Sequence, residues 1–268
     1  MKKLTRNLFV AASLVLAGGV STMANAQSET PAASEAAPDQ SRARPSGPLQ
    51  QKLVPGMARY TDEVLFGEIW PGEGLSPRDR SLAVISVLIA TNKPAQLRGH
   101  LGRALNNGVT PMEASGVLTH LAIYSGWPNA VSALEVYDGV YTERNIDFAA
   151  LQAELQRLSP ASSDAQAAEA VTAQFGAVAP KFADLTNRVV FGDLWTRSDL
   201  SVRDRSLVTI AALTATGDID LLEPYLRRGV QAGLTRDEIA EALTHIAFYA
   251  GWGKATRALT VVTQTLGG

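Results

Sequence analysis

Histidine and arginine side chains are the groups in this sequence best suited to chemistry, and histidine is scarce. His100 is one of three histidines in the 268 residues, and it lies beside the apolar stripe formed by Leu97, Leu101 and Ala104. A histidine in such a place can face a cavity between helices and titrate near neutral pH. The residues alone leave two interpretations open, a catalytic histidine and a surface histidine.

Four arginines share one predicted position, the first turn of a helix: Arg78, Arg80, Arg203 and Arg205. Positive charge there opposes the helix dipole, at a cost of about 0.3–1 kcal/mol when exposed. One explanation is that these guanidinium groups bind an anionic ligand such as a carboxylate. The other is an ion pair that orients two parts of the molecule, with Glu68, Asp79, Asp193 and Asp204 as the available acids. We expect one arginine of a pair to be structural and the other to bind a ligand.

A histidine and a tyrosine stand four residues apart twice, as His120 with Tyr124 and His245 with Tyr249. This spacing puts each pair on one helix face. A hydrogen-bonded core histidine is favoured over a catalytic one at both places. The four tryptophans are expected to be core or interface anchors: Trp70, Trp127, Trp195 and Trp252.

Composition excludes several classes of function. The sequence contains no cysteine, which excludes disulfides, thiolate metal sites and thiol peroxidase chemistry. The formal net charge of −2 gives no basic footprint for nucleic acid. Three histidines do not suffice for several His-rich metal sites, and no metal site is predicted. Gly-rich phosphate loops and the G-x-S-x-G and H-E-x-x-H motifs are also missing from the sequence.

Most of the chain consists of one unit that occurs twice, at a constant offset of 125 residues. Between 66–130 and 191–255, 28 of 65 positions are identical. Residues 78–82 (RDRSL) recur at 203–207. A period of this length predicts two fused copies of a small domain, packed as a pseudo-twofold pair.

Local signals in each copy predict helices. Ser76, followed by Pro77 and Asp79, is an N-cap sequence, and Thr110 with Glu113 forms a capping box. The apolar run 82–90 fits a central helix, although a buried strand would look similar. We therefore predict an all-α protein of two tandem helical-bundle domains, 50–147 and 179–268. A helix–loop–helix connector, 148–178, should join them, with its break at 159–164.

The N-terminus has the three-part pattern of a secretory signal peptide. A basic start, an apolar run over 8–20 and small residues before position 27 predict cleavage after Ala26. An uncleaved membrane anchor is the alternative, but thirteen apolar residues are short for a bilayer, which needs about 20. Residues 27–49 are rich in Ala, Ser, Pro and Glu and are expected to be a flexible linker. The mature protein should be periplasmic or secreted, with no membrane partner.

These motifs resemble the carboxymuconolactone decarboxylase family, within the wider alkylhydroperoxidase-D-like fold. The resembling segments in the first copy are 66–70 (FGEIW), 78–82 (RDRSL), 100–110 (HLGRALNNGVT) and 118–128 (LTHLAIYSGWP). The second copy matches through 191–216 and 233–251. The resemblance implies a helical bundle that assembles into homo-oligomers, here a trimer of two-domain chains. It also implies chemistry without a cofactor.

The resemblance also implies roles for individual residues. The catalytic set would be His100, Arg78 and Arg80, and substrate-binding residues would be Arg203, Arg205, Trp70 and Tyr124. The peroxidase branch of the fold has cysteines at the positions that Lys93 and Gln96 occupy here, so that activity is not expected. The second copy has Tyr225 where the first has His100, so one complete site per chain is expected.

The expected reaction is loss of CO2 from a small carboxylated lactone or related organic acid. In a γ-carboxylated butenolide the lactone carbonyl accepts the electron pair, so neither metal nor cofactor is required. An arginine can hold carboxylates, and His100 can stabilise the enolate or deliver the proton. The alternative is a non-catalytic oligomeric scaffold or small-molecule binder. An exported location argues against the family's cytoplasmic pathway and for a different substrate.

Overall fold

Helices follow one another along both copies of the repeat in the computed structural model, which describes residues 45–267. The predicted signal peptide and the linker up to residue 44 lie outside these residues. The first copy contains α1 (Pro48–Leu53), α2 (Pro55–Arg59), a π-helical segment (Tyr60–Ile69), α3 (Pro77–Ala90), α4 (Pro94–Asn106), α5 (Pro111–Tyr124) and α6 (Trp127–Glu143). The all-α prediction is confirmed, and residues 45–267 contain no β-strand.

The second copy repeats this order after the connector helix α7 (Ser162–Phe175). Its elements are α8 (Pro180–Leu185), a π-helical segment (Thr186–Phe191), α9 (Val202–Thr216), α10 (Leu222–Gln231), α11 (Arg236–Ala250) and α12 (Trp252–Leu266). Both copies belong to one compact unit.

Helix boundaries follow from the local chemistry of the chain. The Ser76 hydroxyl accepts from the Asp79 backbone N–H at 3.1 Å and starts α3. Thr110 and Glu113 form a reciprocal capping box at the start of α5. Gly126 and Gly251 precede α6 and α12 with φ of 91° and 99°, a conformation that residues with a Cβ rarely adopt. The chain can therefore reverse sharply between the last two helices of each copy.

The core is centred on α3 and α9, which pack against each other across the pseudo-twofold axis. Residues 79–90 of α3 and 204–215 of α9 are all buried. One continuous apolar cluster extends through both copies. The run 82–90, which fits a helix or a strand by pattern, is the central helix of this shared core.

Two segments differ from the expectations. The folded part begins before residue 50, because Ser46 is buried and donates to the Asp62 carboxylate at 2.7 Å. The connector has a helix only after its break, with a single turn at Ala150–Gln152 before it. Its extended part instead pairs with the segment before α9, where the Leu158 N–H donates to the Thr196 carbonyl at 2.7 Å. This tertiary hydrogen bond holds the chain outside the helical conformation.

A helix with both the length and the apolar character needed to cross a bilayer is not found within residues 45–267.

Candidate active site

His100 lies in an aromatic cluster built from both copies. Its ring stacks on Trp70 with 5.9 Å between ring centroids and an angle of 17°. Tyr249, from α11 of the second copy, meets the imidazole edge-on at 5.2 Å. The Trp70 Nε1–H donates to the Tyr249 hydroxyl at 3.0 Å. Each of these side chains is therefore held by another, and neither copy alone supplies the set.

The imidazole of His100 is neutral at physiological pH. Burial, together with the nearby charge of Arg103, lowers its pKa to about 4. Its Nδ1 atom is buried and has no hydrogen-bond partner among the described residues. A buried polar atom without a partner costs stability, so such atoms concentrate where a ligand can satisfy them.

A fully buried histidine, His245, packs against the cluster. His245 packs edge-on against Trp70 at 4.6 Å, and the Arg80 guanidinium donates to its Nδ1 at 3.4 Å. Since arginine only donates, Nε2 carries the ring proton. Burial and the charge of Arg80 lower the pKa of His245 to about 3. Arg80 also donates to Glu241 and to the Gly72 carbonyl, both at 2.8 Å.

Arg103 is an exposed cation at the edge of the cluster. Its guanidinium lies 4.9 Å from the ring centroid of Trp70 and 5.1 Å from that of Phe66. The side chain is exposed, and no carboxylate within residues 45–267 lies at ion-pair distance from it. The Arg103 guanidinium is therefore available to bind an anionic ligand.

The equivalent residues related by the pseudo-twofold axis form a second cluster, which differs from the first around the positions equivalent to His100 and Arg103. Tyr225 stacks on Trp195 with 5.9 Å between centroids, as His100 does on Trp70. The Tyr225 and Tyr124 hydroxyls are 3.0 Å apart, and the Trp195 Nε1–H donates to Tyr124 at 2.8 Å. Arg228 lies 3.7 Å from the Trp195 ring and pairs with Asp164 of the connector helix. The chain itself thus occupies this second cluster.

The buried histidine of the second cluster has both ring nitrogens satisfied. Arg205 donates to the His120 Nδ1 at 3.4 Å, and the His120 Nε2 is 2.8 Å from the Thr209 hydroxyl. Val84 stands at the position equivalent to Thr209 and offers no acceptor, so the His245 Nε2 has no partner in the described structure. Within residues 45–267, the buried histidine of the second cluster thus has partners for both ring nitrogens, whereas His245 of the first cluster has a partner for only one.

The acid that pairs with the buried arginine has changed place between the copies. Glu241 of α11 serves Arg80, while Asp199, which precedes α9, pairs with Arg205. At the positions equivalent to these acids stand Gly116 and Gly74, and a Cβ at either glycine would lie 3.1 Å from the acid of the same cluster. In the first cluster the acid lies on α11 and the glycine precedes α3, whereas in the second the acid precedes α9 and the glycine lies on α5. Each cluster therefore has one carboxylate for its buried arginine and one glycine that leaves space for it.

The model of the carboxymuconolactone decarboxylase family matches the chain twice, at residues 55–138 and 180–264. These two segments together cover more than half of the chain. The protein belongs to the carboxymuconolactone decarboxylase family. The tandem arrangement predicted from the repeat is confirmed by the double match.

Three relatives show how far the likeness extends. A 4-carboxymuconolactone decarboxylase of Acinetobacter baylyi is 36% identical over 87 residues, which are 32% of this chain and 65% of the relative. A nitrosuccinic acid decarboxylase of Metarhizium robertsii is 34% identical over 82 residues, 31% of this chain and 57% of the relative. An uncharacterized 15.0 kDa protein of Paracoccus denitrificans is 31% identical over 97 residues, 35% of this chain and 72% of the relative. The chain therefore spans less than two thirds of either decarboxylase.

In this family member, the arginines predicted from sequence lie next to carboxylates of the protein. Arg78 donates to Asp204 at 2.8 Å and to Glu113 at 2.6 Å. By symmetry, Arg203 donates to Asp79 at 2.9 Å and to Glu238 at 2.8 Å. The ion pair across the two copies that the sequence suggested is thus present, twice.

The other predicted site residues divide between the two clusters. His100, Trp70 and Arg80 belong to the first, although Arg80 reaches His100 only through His245. Tyr124 and Arg205 belong to the second. Trp127 and Trp252 are 64% and 63% exposed, so neither is a core residue of this chain.

Sequence reasoning missed two residues of the first cluster, Arg103 and the site role of Tyr249. A signal for both was present, because arginine recurs at 103 and 228 and tyrosine at 124 and 249. The paired tyrosines were interpreted as packing residues. What the sequence lacked was the information that α11 of the second copy packs against α3 of the first and brings Tyr249 to His100 of α4.

Proposed function

We propose that the protein is a cofactor-independent decarboxylase that acts at the His100 cluster on a small carboxylated lactone or related organic acid. The observation that carries this proposal is the neutral imidazole of His100, whose buried Nδ1 has no partner within residues 45–267 and which lies near the Arg103 guanidinium, likewise without an acidic partner in that range. Family membership and the names of the two decarboxylase relatives support the reaction class.

Decarboxylation requires a place for the electron pair that CO2 leaves behind. In a γ-carboxylated butenolide, the C–C bond to the carboxylate breaks and its electrons move through the ring double bond to the carbonyl oxygen of the lactone. The product is a furanolate, which then takes a proton from water on a ring carbon. A hydrogen-bond donor at the developing oxyanion lowers the barrier, because the interaction strengthens as charge appears.

The lowered pKa of His100 distinguishes between its two possible roles. With a pKa of about 4, roughly one ring in a thousand is protonated at pH 7, so proton delivery from an imidazolium is disfavoured. A neutral imidazole can still donate one hydrogen bond to the oxyanion. We therefore assign stabilisation of the enolate to His100, rather than delivery of the proton.

Arg103 fits the carboxylate-binding role better than Arg78 or Arg80. The last two are engaged by carboxylates of the protein, whereas Arg103 has no acidic partner among residues 45–267. A guanidinium that gripped the leaving carboxylate would stabilise the ground state more than the transition state. Arg103 is therefore suited to a second carboxylate that stays on the product. Both substrate names in the relatives describe acids with two carboxyl groups.

The decisive experiment measures CO2 release from a γ-carboxylated butenolide acid. His100→Ala should lower kcat by about 10²–10³, the cost of removing one oxyanion donor, with helical circular dichroism unchanged. Tyr225→Phe, which alters the equivalent position of the second cluster, serves as the matched control and should retain full activity.

Two results would contradict the proposal. Full activity of the His100→Ala variant removes His100 from the mechanism. No CO2 release and no thermal stabilisation by any small carboxylated lactone or hydroxy acid favours the alternative, a scaffold that reuses the fold.

We also propose that the chain is exported, on the strength of the signal-peptide pattern in residues 1–26. N-terminal sequencing of the protein from the cell envelope fraction should begin at Gln27. A protein that begins at Met1 would contradict cleavage.

A further inference from the structure

The two clusters share one framework, so they can be compared position by position. The equivalent pairs are Trp70 with Trp195, Tyr249 with Tyr124, His100 with Tyr225, and Arg103 with Arg228. In both clusters the tryptophan N–H donates to the tyrosine hydroxyl, at 3.0 and 2.8 Å. In both, the ring at the third position stacks on the tryptophan at 5.9 Å. The two clusters therefore differ in the polar groups that contact this shared framework.

The first difference is an oxygen atom. The Tyr225 hydroxyl lies 3.0 Å from the Tyr124 hydroxyl, whose lone pair already receives the Trp195 N–H. His100 carries no such oxygen. The Tyr249 hydroxyl receives the Trp70 N–H, and no group within residues 45–267 accepts its own proton. Within residues 45–267, the Tyr249 hydroxyl thus keeps a proton to donate, whereas the Tyr124 and Tyr225 hydroxyls are hydrogen-bonded to each other.

The second difference is a carboxylate. Asp164 pairs with Arg228, and their side chains are only 5% and 7% exposed. Arg103, at the equivalent position, is exposed and has no carboxylate within ion-pair distance in the described part of the chain. Both arginines lie over their tryptophan, at 4.9 Å from the ring centroid for Arg103 and 3.7 Å for Arg228, so the guanidinium faces the equivalent ring in both clusters.

We propose that the second cluster is a copy of the first that the chain has filled with its own side chains, and that these side chains mark where the ligand of the first cluster binds. Asp164 stands for a ligand carboxylate, which Arg103 binds. The Tyr225 hydroxyl stands for a second ligand oxygen, which accepts a hydrogen bond from Tyr249. The ligand class is a small acid with a carboxylate and a separate oxygen acceptor, such as the carbonyl of a lactone.

This inference rests on the proposed function only in taking the His100 cluster as the substrate site. It adds Tyr249 as a specificity-determining residue and gives Asp164 and Tyr225 a role as internal substitutes for a ligand. It also predicts one ligand per chain, because the second cluster is already occupied.

Binding to the full chain tests the inference without turnover. The ligand is the saturated γ-lactone with a carboxymethyl group on its γ-carbon, which has no carboxylate that can leave. Two comparison compounds each lack one recognition point. The cyclic ether acid of the same skeleton has no carbonyl, and γ-butyrolactone has no carboxylate. Isothermal titration calorimetry gives affinity and stoichiometry for each.

The variants should separate the two recognition points. Tyr249→Phe should weaken the lactone acid about threefold to tenfold and leave the ether acid unchanged, since only the lactone has the exocyclic carbonyl oxygen that Tyr249 is proposed to bind. Arg103→Gln should weaken both acids at least about tenfold and leave γ-butyrolactone unchanged. Tyr225→Phe is the matched control for loss of a hydroxyl and should not change any affinity.

Several outcomes would overturn the inference: no binding of the lactone acid, two equivalents per chain, equal losses for both acids in Tyr249→Phe, or an equal loss in Tyr225→Phe. If the binding pattern holds but no butenolide acid releases CO2, the proposed function fails and the inference stands. If CO2 is released with no dependence on Arg103 or Tyr249, the inference fails and the proposed function stands.

Discussion

Asp164 of the connector helix and Arg228 of α10 form an ion pair whose side chains are almost entirely buried. The guanidinium is also packed on Trp195, with 3.7 Å to the ring centroid. This pair joins the connector to the second copy at the place equivalent to Arg103, which has no acidic partner among the described residues of the chain. The connector therefore closes one of two otherwise equivalent clusters.

Asp164→Asn should destabilise the protein by about 3–5 kcal/mol, because it leaves the Arg228 charge buried without a counter-ion. Urea unfolding followed by circular dichroism gives the free energy of unfolding. Arg103→Gln is the matched control and should change this free energy by less than about 0.5 kcal/mol, since its side chain is exposed. A loss below about 1 kcal/mol in Asp164→Asn would show that the pair does not hold the connector.

Arg78→Met should lower the free energy of unfolding by about 1–3 kcal/mol and leave KM unchanged. The substitution removes hydrogen bonds to Asp204 and Glu113 from a side chain that is only 26% exposed. Arg203→Met should behave in the same way because of the pseudo-twofold symmetry. A tenfold rise in KM for Arg78→Met with unchanged stability would restore the ligand-binding role that the sequence suggested.

The pH dependence of kcat/KM should show no inflection at the ordinary pKa of histidine. His100 stays neutral down to about pH 4 and donates from one ring nitrogen, so the rate should be constant over about pH 5–8 and change only as the pH drops through about 4. Circular dichroism at each pH separates that change from unfolding. An inflection near 6.5, the ordinary pKa of histidine, would place His100 in contact with water and contradict the assignment.

Stability should fall as the pH drops below about 6.5, because two histidines are held neutral in the core. Burial and the charge of Arg205 lower the pKa of His120, and burial with the charge of Arg80 lowers that of His245 to about 3. Below 6.5 the unfolded chain binds protons that the folded chain does not, so acid favours unfolding. For His245 the loss should be about 2 kcal/mol between pH 6.5 and pH 5, and His120 should add a loss of the same sign.

His245→Gln provides the check on this linkage. The slope of unfolding free energy against pH gives the number of protons that the chain takes up on unfolding. In this variant that number should be smaller by about one, whatever the stability at pH 7. A slope equal to that of the unaltered protein would mean that His245 is not buried in its neutral form.

Helix boundaries were predictable from sequence, because caps act over three or four residues. Ser76 and Thr110 accept hydrogen bonds from residues three positions later, and both starts are where the spacing placed them. The connector before residue 159 was not predictable, since a bond to the Thr196 carbonyl decides its conformation.

The site was only partly predictable, because many of its contacts join residues that are far apart along the chain. His100 was a candidate from sequence and lies in the first cluster, and the ion pair between the copies was one of two explanations offered for Arg78. The partners of His100 and Arg80 come from α11, between 149 and 165 residues away. Nothing local to residues 78–103 specifies those partners, and Arg103 stands out only once the carboxylates around the other arginines have been located.

Each cluster takes side chains from both copies of the repeat. A polypeptide carrying a single repeat could complete such a cluster only by pairing with another molecule of itself, and it would then possess two identical ones. Fusion removed that constraint, because a mutation could now alter one cluster while its twin was left untouched. The fused chain could therefore retain one cluster for ligand binding while the other acquired a structural role.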